Sequence, residues 1–189
     1  MGKRVRIVRR KEKRSPHVSG AGCGAFGDAG SSRRLGRRLL ARESWREGVM
    51  EGKIRTLLDC AEIREVQTRY ATGVDRRDPD LYRSCFTDEI ELDMSEMGLG
   101  EAAKVRADVW VEQALSLVSV FKSTQHMITN HTITIDGDRA TCVSYLQAQH
   151  YNPEHLYTVG GYYSNELVRT REGWKICKLK LTPLWTQST

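Results

Sequence analysis

The sequence predicts an α+β fold in which helices come first and an antiparallel sheet follows. Between residues 51 and 119 the apolar residues recur mostly at helical spacing, with one short strand between the helices. From His126 onward the period changes to two, which is typical of strands. The tight turns "DGDR" and "REG" join the strand candidates in pairs. Because the helices precede the strands rather than alternate with them, we expect a curved sheet wrapped around a helical layer, with one open end.

The first helix of the domain is predicted over residues 51–78, "EGKIRTLLDCAEIREVQTRYATGVDRRD". Asp59 is a suitable N-cap with Glu62 three residues later, and Gly73 indicates that the helix loosens near its end. The apolar residues form one stripe at helical spacing: Ile63, Val66, Tyr70 and Val74. This stripe is the predicted contact between the helix and the rest of the core.

Two more helices and five strands complete the predicted domain, residues 51–189. The short helix in "DPDLYRSCF" has Asp78 as its cap and Pro79 at its first position. "TDEIELDMS" is a short strand, and "EAAKVRADVWVEQALSLV" is a helix with apolar residues that include Val105, Val109 and Trp110. Four strand candidates follow: "HMITNHTITI", "RATCVSYLQAQHY", "YTVGGYYSNELVRTR" and "GWKICKLKLTPLW".

The positive charge of the chain is concentrated at its N-terminal end. The net charge is +6, but residues 1–50 alone carry 14 Lys and Arg against 4 Asp and Glu, so the rest of the chain is mildly acidic. A mildly acidic body does not have the electrostatic footprint of a nucleic-acid binder. We therefore expect nucleic acid not to be a partner of the domain.

Residues 1–50 combine basic clusters with Gly- and Ser-rich spacing and have no sustained hydrophobic period. Such a segment cannot bury enough apolar surface to offset its ordering entropy, so we expect a disordered extension with at most a short helix around "RRLGRRLLARESW". Three interpretations stay open. The segment is a basic arm that meets anions, a transit peptide, or sequence upstream of a native start at Met50.

Several classes of protein are excluded by what the sequence lacks. No stretch approaches 18 consecutive apolar residues, so no membrane span is predicted. The five cysteines include no CxxC pair, which argues against a disulfide framework or a zinc site and favours reduced cysteines in the cytoplasm. The glycine-rich "GAGCGAFG" has neither a strand before it nor a helix after it, so the dinucleotide-binding interpretation fails. We expect no metal and no cofactor.

The order of these elements resembles the cone-shaped α+β fold of nuclear transport factor 2-like and SnoaL-like proteins. The resemblance covers residues 54–186 and rests on four segments: "EIREVQTRYATGVDRRDPDLYRSCFTDE", "TQHMITN", "IDGDRAT" and "GGYYSNELVRTREGWKICKLKL". Within that superfamily these motifs are most similar to the group of scytalone dehydratase, lindane dehydrochlorinase and bile-acid 7α-dehydratase. The resemblance implies a cofactor-independent lyase, and it implies a homodimer or homotrimer formed through the outer face of the sheet.

Asp75 and His126 are the first candidates for catalysis. From the residues alone Asp75 is an ordinary carboxylate in an unfavourable place, because the C-terminal end of a helix carries partial negative charge. A single histidine at the start of a strand is also more often structural than catalytic. However, "GVDRRD" and "TQHMITN" are similar to the segments that carry the catalytic aspartate and histidine of the lyases. The resemblance thus implies that Asp75 orients His126, which abstracts a proton.

The roles of two further histidines depend on the register of the first hairpin. His131 lies five residues after His126, and an odd separation puts it on the opposite face of a regular strand, so we assign it to structure or surface. With a two-residue turn at Gly137–Asp138, His150 also points away from His126. A bulge would bring His150 onto the same face. The resemblance to scytalone dehydratase implies a second catalytic histidine at His150, and the sequence leaves the register open.

The remaining candidates line or close the predicted pocket. Tyr70 lies on the apolar stripe, and the resemblance implies that its hydroxyl donates to a developing enolate. Two places where scytalone dehydratase has pocket tyrosines hold Val74 and Met94 here, so the substrates of the known lyases are not transferred. The apolar tail "LKLTPLW" favours a hydrophobic or aromatic substrate. Five residues are predicted to contact it: Asn130, Tyr145, Tyr162, Asn165 and Trp185.

The sequence therefore favours a dehydratase or related eliminating enzyme. An isomerase or cyclase of the same fold would begin with the same proton abstraction and stays open as an alternative. A third alternative is a non-catalytic module that binds a small molecule or assembles into oligomers. Proximity of Asp75 to His126 would favour an enzyme, and a large separation would favour the binding module.

Overall fold

The structure is a computed structural model that describes the backbone of residues 29–189 and the side chains of residues 45–189. The chain divides into two units, Met1–Trp45 and Arg46–Thr189, and the second contains all the described strands. The elements in chain order are α1 (Ala29–Arg76), α2 (Pro79–Arg83), β1 (Phe86–Asp93), a short 3₁₀ helix (Ser95–Met97), β2 (Ala103–Arg106), α3 (Ala107–Ser119), β3 (Ser123–Asp136), β4 (Arg139–Asn152), β5 (His155–Thr170) and β6 (Gly173–Ser188).

Helix α1 begins at Ala29, well before the predicted start near residue 51. Residues 29–50 are therefore helical, and the short helix predicted around "RRLGRRLLARESW" lies within them. The preceding 28 residues, with the basic cluster at the N-terminus and the "GAGCGAFG" segment, lie outside the described residues. The role of the extension, and its boundary with the domain, stay predictions.

Asp59 does not cap a helix, because it lies in the middle of α1. Its side chain is buried, and its carboxylate accepts hydrogen bonds from Arg169 Nη1 at 2.7 Å and Arg169 Nη2 at 2.8 Å. Trp174 Nε1 donates a further bond to Asp59 at 3.2 Å. The residue that the capping pattern singled out instead ties α1 to strands β5 and β6.

The six strands form one sheet in the order β2-β1-β6-β5-β4-β3. Four of the five pairings are antiparallel, and β1 pairs with β6 in parallel. The predicted α+β class and the curved, mostly antiparallel sheet are confirmed. Strand β2 was predicted as the start of the third helix. It instead pairs along β1, with Val105 opposite Ile90, since strand pairing at a sheet edge outweighs a weak helix propensity.

The core lies between the helices and the concave face of the sheet. The predicted stripe of α1, from Ile63 to Val74, is buried as expected. Most of the predicted apolar face of α3, including Trp110, is buried, but Val109 is exposed and Val111 is buried instead. The larger buried residues from the other elements include Tyr82, Phe86, Leu146, Leu167, Trp174, Ile176 and Leu179.

Helix α1 ends sharply and does not loosen at Gly73. Arg77 adopts a left-handed conformation with φ 53°, and the Asp78 N–H donates to the Gly73 carbonyl at 2.9 Å, which closes the helix in a Schellman-type turn. A Cβ on Gly73 would lie 2.7 Å from the Tyr82 nitrogen. Glycine is therefore required so that α2 can pack directly against the last turn of α1.

Candidate active site

The β3–β4 hairpin contains both of the features that the sequence left undecided. Gly137 and Asp138 form a two-residue turn, and the pairing is regular from Asp136 opposite Arg139 to Thr132 opposite Val143. The register then shifts by one residue between Thr129 and Thr132. This shift is a β-bulge, in which two residues of β3 oppose one residue of β4.

The bulge decides which histidines share a face. Within it, Asn130 has a left-handed φ of 51°, a conformation that asparagine tolerates better than most residues. Beyond it, His126 lies opposite Ala148, and His150 lies opposite Thr124. Because residues two apart on a strand share a face, His126 and His150 both point to the concave side of the sheet.

Asp75 and His126 are in direct contact. His126 Nδ1 lies 2.7 Å from Asp75 Oδ1, and the backbone N–H of His126 donates to Asp75 Oδ2 at 2.8 Å. The Thr124 hydroxyl adds a third bond to Oδ1 at 2.9 Å. These three donors compensate for the unfavourable position of a carboxylate in the last turn of α1. They also fix the orientation of the His126 ring.

The protonation of Asp75 follows from this setting. Partial burial raises the pKa of its carboxyl, but the hydrogen bonds from the His126 side chain and backbone and from Thr124 outweigh burial and hold the pKa below its usual value. Asp75 is therefore ionised at neutral pH. A carboxylate at Nδ1 selects the tautomer in which Nδ1 carries the proton, which leaves Nε2 of His126 as the free nitrogen.

His150 stands beside His126, with the two ring centroids 5.5 Å apart. Phe121 and Tyr157 flank the His150 ring at 5.0 Å and 5.7 Å. Burial and the neighbouring His126 lower the pKa of His150, and a backbone hydrogen bond at Tyr157 opposes them only in part. At neutral pH His150 is therefore an uncharged imidazole that can donate or accept a hydrogen bond.

Both histidines line a cavity of about 310 Å³ between α1, α3 and the sheet. Its wall is mainly apolar and aromatic, and none of the lining residues is Lys, Arg, Asp or Glu. The other lining residues are Tyr70, Val74, Tyr82, Met94, Met97, Leu99, Trp110, Ala114, Leu117, Val118, Phe121, Leu146, Ala148, Tyr157, Val159, Tyr163 and Leu181. The cavity has the character of a pocket for a small hydrophobic molecule.

Two tyrosine hydroxyls meet inside the buried part of this wall. The Tyr70 hydroxyl donates to the Tyr163 hydroxyl at 3.2 Å, and the two rings pack edge to face at 5.3 Å. Burial raises the pKa of both hydroxyls well above the ordinary value, so both stay neutral donors. Sequence reasoning found Tyr70 but missed Tyr163. Tyr163 lies two residues before Asn165 on the same strand, and that spacing places both side chains on the inner face.

Five predicted contact residues lie outside the cavity lining. Tyr145 and Tyr162 pair across β4 and β5 and are not buried, because their strand positions point away from the concave face. Asn130 is exposed within the bulge, and Trp185 lies half exposed over Gly160. Asn165 points inward but is buried beneath the cavity, where its Nδ2 donates to Gln67 Oε1 at 3.0 Å.

His131 is placed differently from the prediction. The extra residue of the bulge reverses its expected orientation, so its side chain is partly buried on the inner side of β3. Burial and the nearby Arg64 guanidinium lower its pKa. His131 does not line the cavity, which agrees with a structural role.

Two further properties concern the described part of the chain. Across residues 45–189, no three His, Cys, Asp or Glu side chains are grouped so as to hold a metal ion. None of the helices described between residues 29 and 189 combines the length and the apolar character needed to cross a membrane.

The fold is an α+β cone that encloses an apolar cavity, and comparisons with known proteins identify its family. The model of the SnoaL-like domain matches residues 55–180, so the chain belongs to the SnoaL-like family. A protein from Kribbella flavida with a solved crystal structure is 32% identical in sequence to this chain. The comparison of the two structures has a TM-score of 0.68 and covers 70% of this chain and 95% of that chain.

Two other proteins extend the comparison. An uncharacterized protein of Mycobacterium tuberculosis is 25% identical over 127 residues, which are 64% of this chain and 82% of the relative. A hexachlorocyclohexane dehydrochlorinase from Novosphingobium barchaimii is 18% identical, with a TM-score of 0.63 over 72% of this chain and 94% of that chain. The last likeness shows a common fold.

Proposed function

We propose that the protein is a cofactor-independent lyase, a dehydratase or a related eliminating enzyme, with His126 as its base. The observation that carries the proposal is the 2.7 Å contact between His126 Nδ1 and Asp75 Oδ1 at the wall of an apolar cavity. A histidine held in one tautomer by a carboxylate is suited to accept a proton and return it.

The proposed reaction uses only groups of this chain. Nε2 of His126 takes a proton from a carbon next to a carbonyl, and the electron pair of that C–H bond forms the new carbon–carbon double bond. The neighbouring C–O bond breaks, and its oxygen leaves with the bonding pair. The proton held by His126 then passes to this oxygen, so that water leaves. In this reaction Asp75 stabilises the transient imidazolium, and neutral His150 hydrogen-bonds the leaving oxygen.

The character of the cavity supports a neutral hydrophobic or aromatic substrate. The lining offers aromatic rings, two histidines and the neutral Tyr70–Tyr163 hydroxyl pair, but no Lys or Arg that would balance a carboxylate or phosphate. A volume of about 310 Å³ suits a small molecule. A solved structure of the same fold is a dehydrochlorinase, which supports elimination as the reaction class.

An isomerisation or cyclisation is the second candidate, and the tyrosine pair favours it. Neutral hydroxyls of Tyr70 and Tyr163 in the buried wall are suited to donate to the oxygen of an enolate that forms after the proton is removed. If His126 returned the proton to another carbon, the product would be an isomer. A non-catalytic binding module gives no reason for Asp75 and His126 to be in contact, so the short distance between them weighs against this alternative.

The first experiment needs no substrate. We would record the ¹⁵N signals of His126 in the parent, in Asp75→Asn and in Asp78→Asn. We expect the Nδ1–H tautomer in the parent and in Asp78→Asn, because asparagine also serves as a helix cap at position 78. We expect a changed tautomer balance in Asp75→Asn. An unchanged tautomer in Asp75→Asn would overturn the proposed dyad.

The second experiment tests the reaction. Neutral β-hydroxy aryl ketones would be supplied, and the ultraviolet absorbance of the conjugated enone would report elimination. We expect His126→Gln to lower the rate by about 10²–10⁴-fold, the range for loss of a general base. Incorporation of solvent deuterium without enone formation would favour the isomerase. The absence of both enone formation and deuterium incorporation across the panel would count against the enzyme proposal.

A further inference from the structure

The C-terminal end of α3 is held by two side chains from other elements. Arg77 Nη2 donates to the carbonyls of Val118 at 3.2 Å and Phe121 at 2.6 Å. Asn152 Nδ2, from the end of β4, donates to the Val120 carbonyl at 3.3 Å. Three carbonyls at or just past the end of α3 thereby accept hydrogen bonds from side chains of other elements.

The same segment is tied down through its backbone. The Lys122 N–H donates to Asn152 Oδ1 at 2.8 Å and to the Tyr151 carbonyl at 2.9 Å. Phe121 is thus fixed from both sides, by Arg77 at its own carbonyl and by Asn152 at the two residues that flank it. Neither Arg77 nor Asn152 lines the cavity.

What these contacts hold in place is part of the cavity wall. Phe121 and Val118 both line the cavity, and the Phe121 ring lies 5.0 Å from the ring of His150. Arg77 is two residues from Asp75 in the chain, just past the end of α1. The segment that supplies the carboxylate for His126 therefore also supplies the clamp on the wall beside His150.

We propose that Arg77 and Asn152 are positioning residues that hold Phe121 against His150 and so set the position of that ring and the width of the cavity there. The inference deepens the proposed function, because it concerns the same cavity. Two features support it. The first is that position 77 has a left-handed backbone, which favours glycine, and yet holds an arginine. The second is that the positive charge of Arg77 lies at the C-terminal end of α3, where the helix dipole is negative.

The test follows the ring of His150 and needs no substrate. In the parent we expect nuclear Overhauser contacts between the ring protons of Phe121 and His150. Arg77→Gly removes the guanidinium but suits the left-handed backbone, and we expect it to weaken these contacts and to change the His150 Cε1–H chemical shift. Arg77→Lys keeps the charge and a single donating nitrogen, so we expect a smaller change. Asn152→Ala should act in the same direction as Arg77→Gly.

Arg76→Ala is the matched control, because it removes the same charge one residue earlier from an exposed side chain. The proposal is overturned if the Phe121–His150 contacts and the His150 shift in both Arg77→Gly and Asn152→Ala match the control. If Arg77→Gly does not fold, the comparison of Arg77→Lys and Asn152→Ala with the control decides. Failure of the Asp75–His126 dyad would appear in the His126 tautomer and would leave this result unaffected.

Discussion

His126 and His150 face each other with ring centroids 5.5 Å apart, although the two-residue turn of their hairpin alone would place them on opposite faces of the sheet. The extra residue at the Asn130 bulge makes up the difference. The arrangement of the two histidines thus depends on a backbone feature some distance from either of them.

The left-handed backbone of Asn130 leads to the first prediction. Asn130→Gly should change the free energy of unfolding by less than about 0.5 kcal/mol, because glycine accepts a positive φ without strain. Asn130→Val should cost about 1–2 kcal/mol, since a β-branched residue is strained there. Urea titration would measure both. Equal stability of the two variants would mean that position 130 is not left-handed in solution.

The lowered pKa of His150 predicts how stability depends on pH. A histidine whose pKa is lowered by folding binds fewer protons in the folded state than in the unfolded state. Stability therefore falls as pH drops from 6.5 towards the pKa of His150 in the folded state. His150→Phe keeps an aromatic ring and should flatten this part of the profile. His131, whose pKa is also lowered, contributes with the same sign, so His131→Phe and the double variant complete the comparison. Parallel profiles of the parent and His150→Phe would contradict the prediction.

Gly73 gives a prediction with a control in the same helix. Gly73→Ala places a Cβ 2.7 Å from the Tyr82 nitrogen and 2.8 Å from its Cα, and we expect a loss of about 2 kcal/mol, as for other overpacked sites. Gly52→Ala meets nothing within 4 Å and should stabilise α1 by about 0.5–1 kcal/mol. Thermal unfolding followed by circular dichroism would show opposite shifts in Tm. Shifts of the same sign would show that α2 does not pack closely on α1.

The pair of buried Asp59 and partly buried Arg169 predicts acid sensitivity. Hydrogen bonding to Arg169, opposed by burial and assisted by Trp174, lowers the pKa of Asp59 below 3.8. The contribution of Asp59 to stability is therefore complete above about pH 4 and is lost as pH falls through the pKa that Asp59 has in the folded state. Asp59→Asn should cost about 2 kcal/mol at neutral pH and weaken the pH dependence below pH 4.

The control for this prediction is Asp138→Asn. Asp138 accepts a bond from Arg169 Nε at 3.0 Å, but its side chain is 81% exposed. Exposed ion pairs contribute little, so this variant should lose well under half as much stability as Asp59→Asn. Equal losses in urea titrations at pH 7 would show that the buried pair contributes no more than the exposed one.

The positions of strands β1 and β3 to β6 were predictable from the sequence, because alternation and turn chemistry act locally, whereas β2 was missed. Strands β3 to β6 and both tight turns lie close to the predicted positions. Alternation also contained unused information about the site. Tyr162 and Asn165 are three residues apart and cannot share a face, whereas Tyr163 and Asn165 can. Applied consistently, this rule would have selected Tyr163 for the pocket and rejected Tyr162.

Other features were not predictable, because they depend on contacts between distant elements. The bulge at Asn130 has no local signal stronger than one asparagine in a strand. Asp59 matched a capping pattern, but its partners Arg169 and Trp174 are more than a hundred residues away in the chain. Asp75 appeared badly placed at a helix end until its three donors on β3 were known.

Helix α1 is fastened at two carboxylates, with Asp59 bound to β5 and β6 and Asp75 bound to β3. The two carboxylates lie sixteen positions apart, a rise of about 24 Å along the helix, and each residue turns the helix by about 100°. A single insertion or deletion between the two would swing one carboxylate away from its partners. The number of residues between Asp59 and Asp75 is therefore constrained. Exposed side chains in this stretch can be exchanged, but no residue can be added or removed.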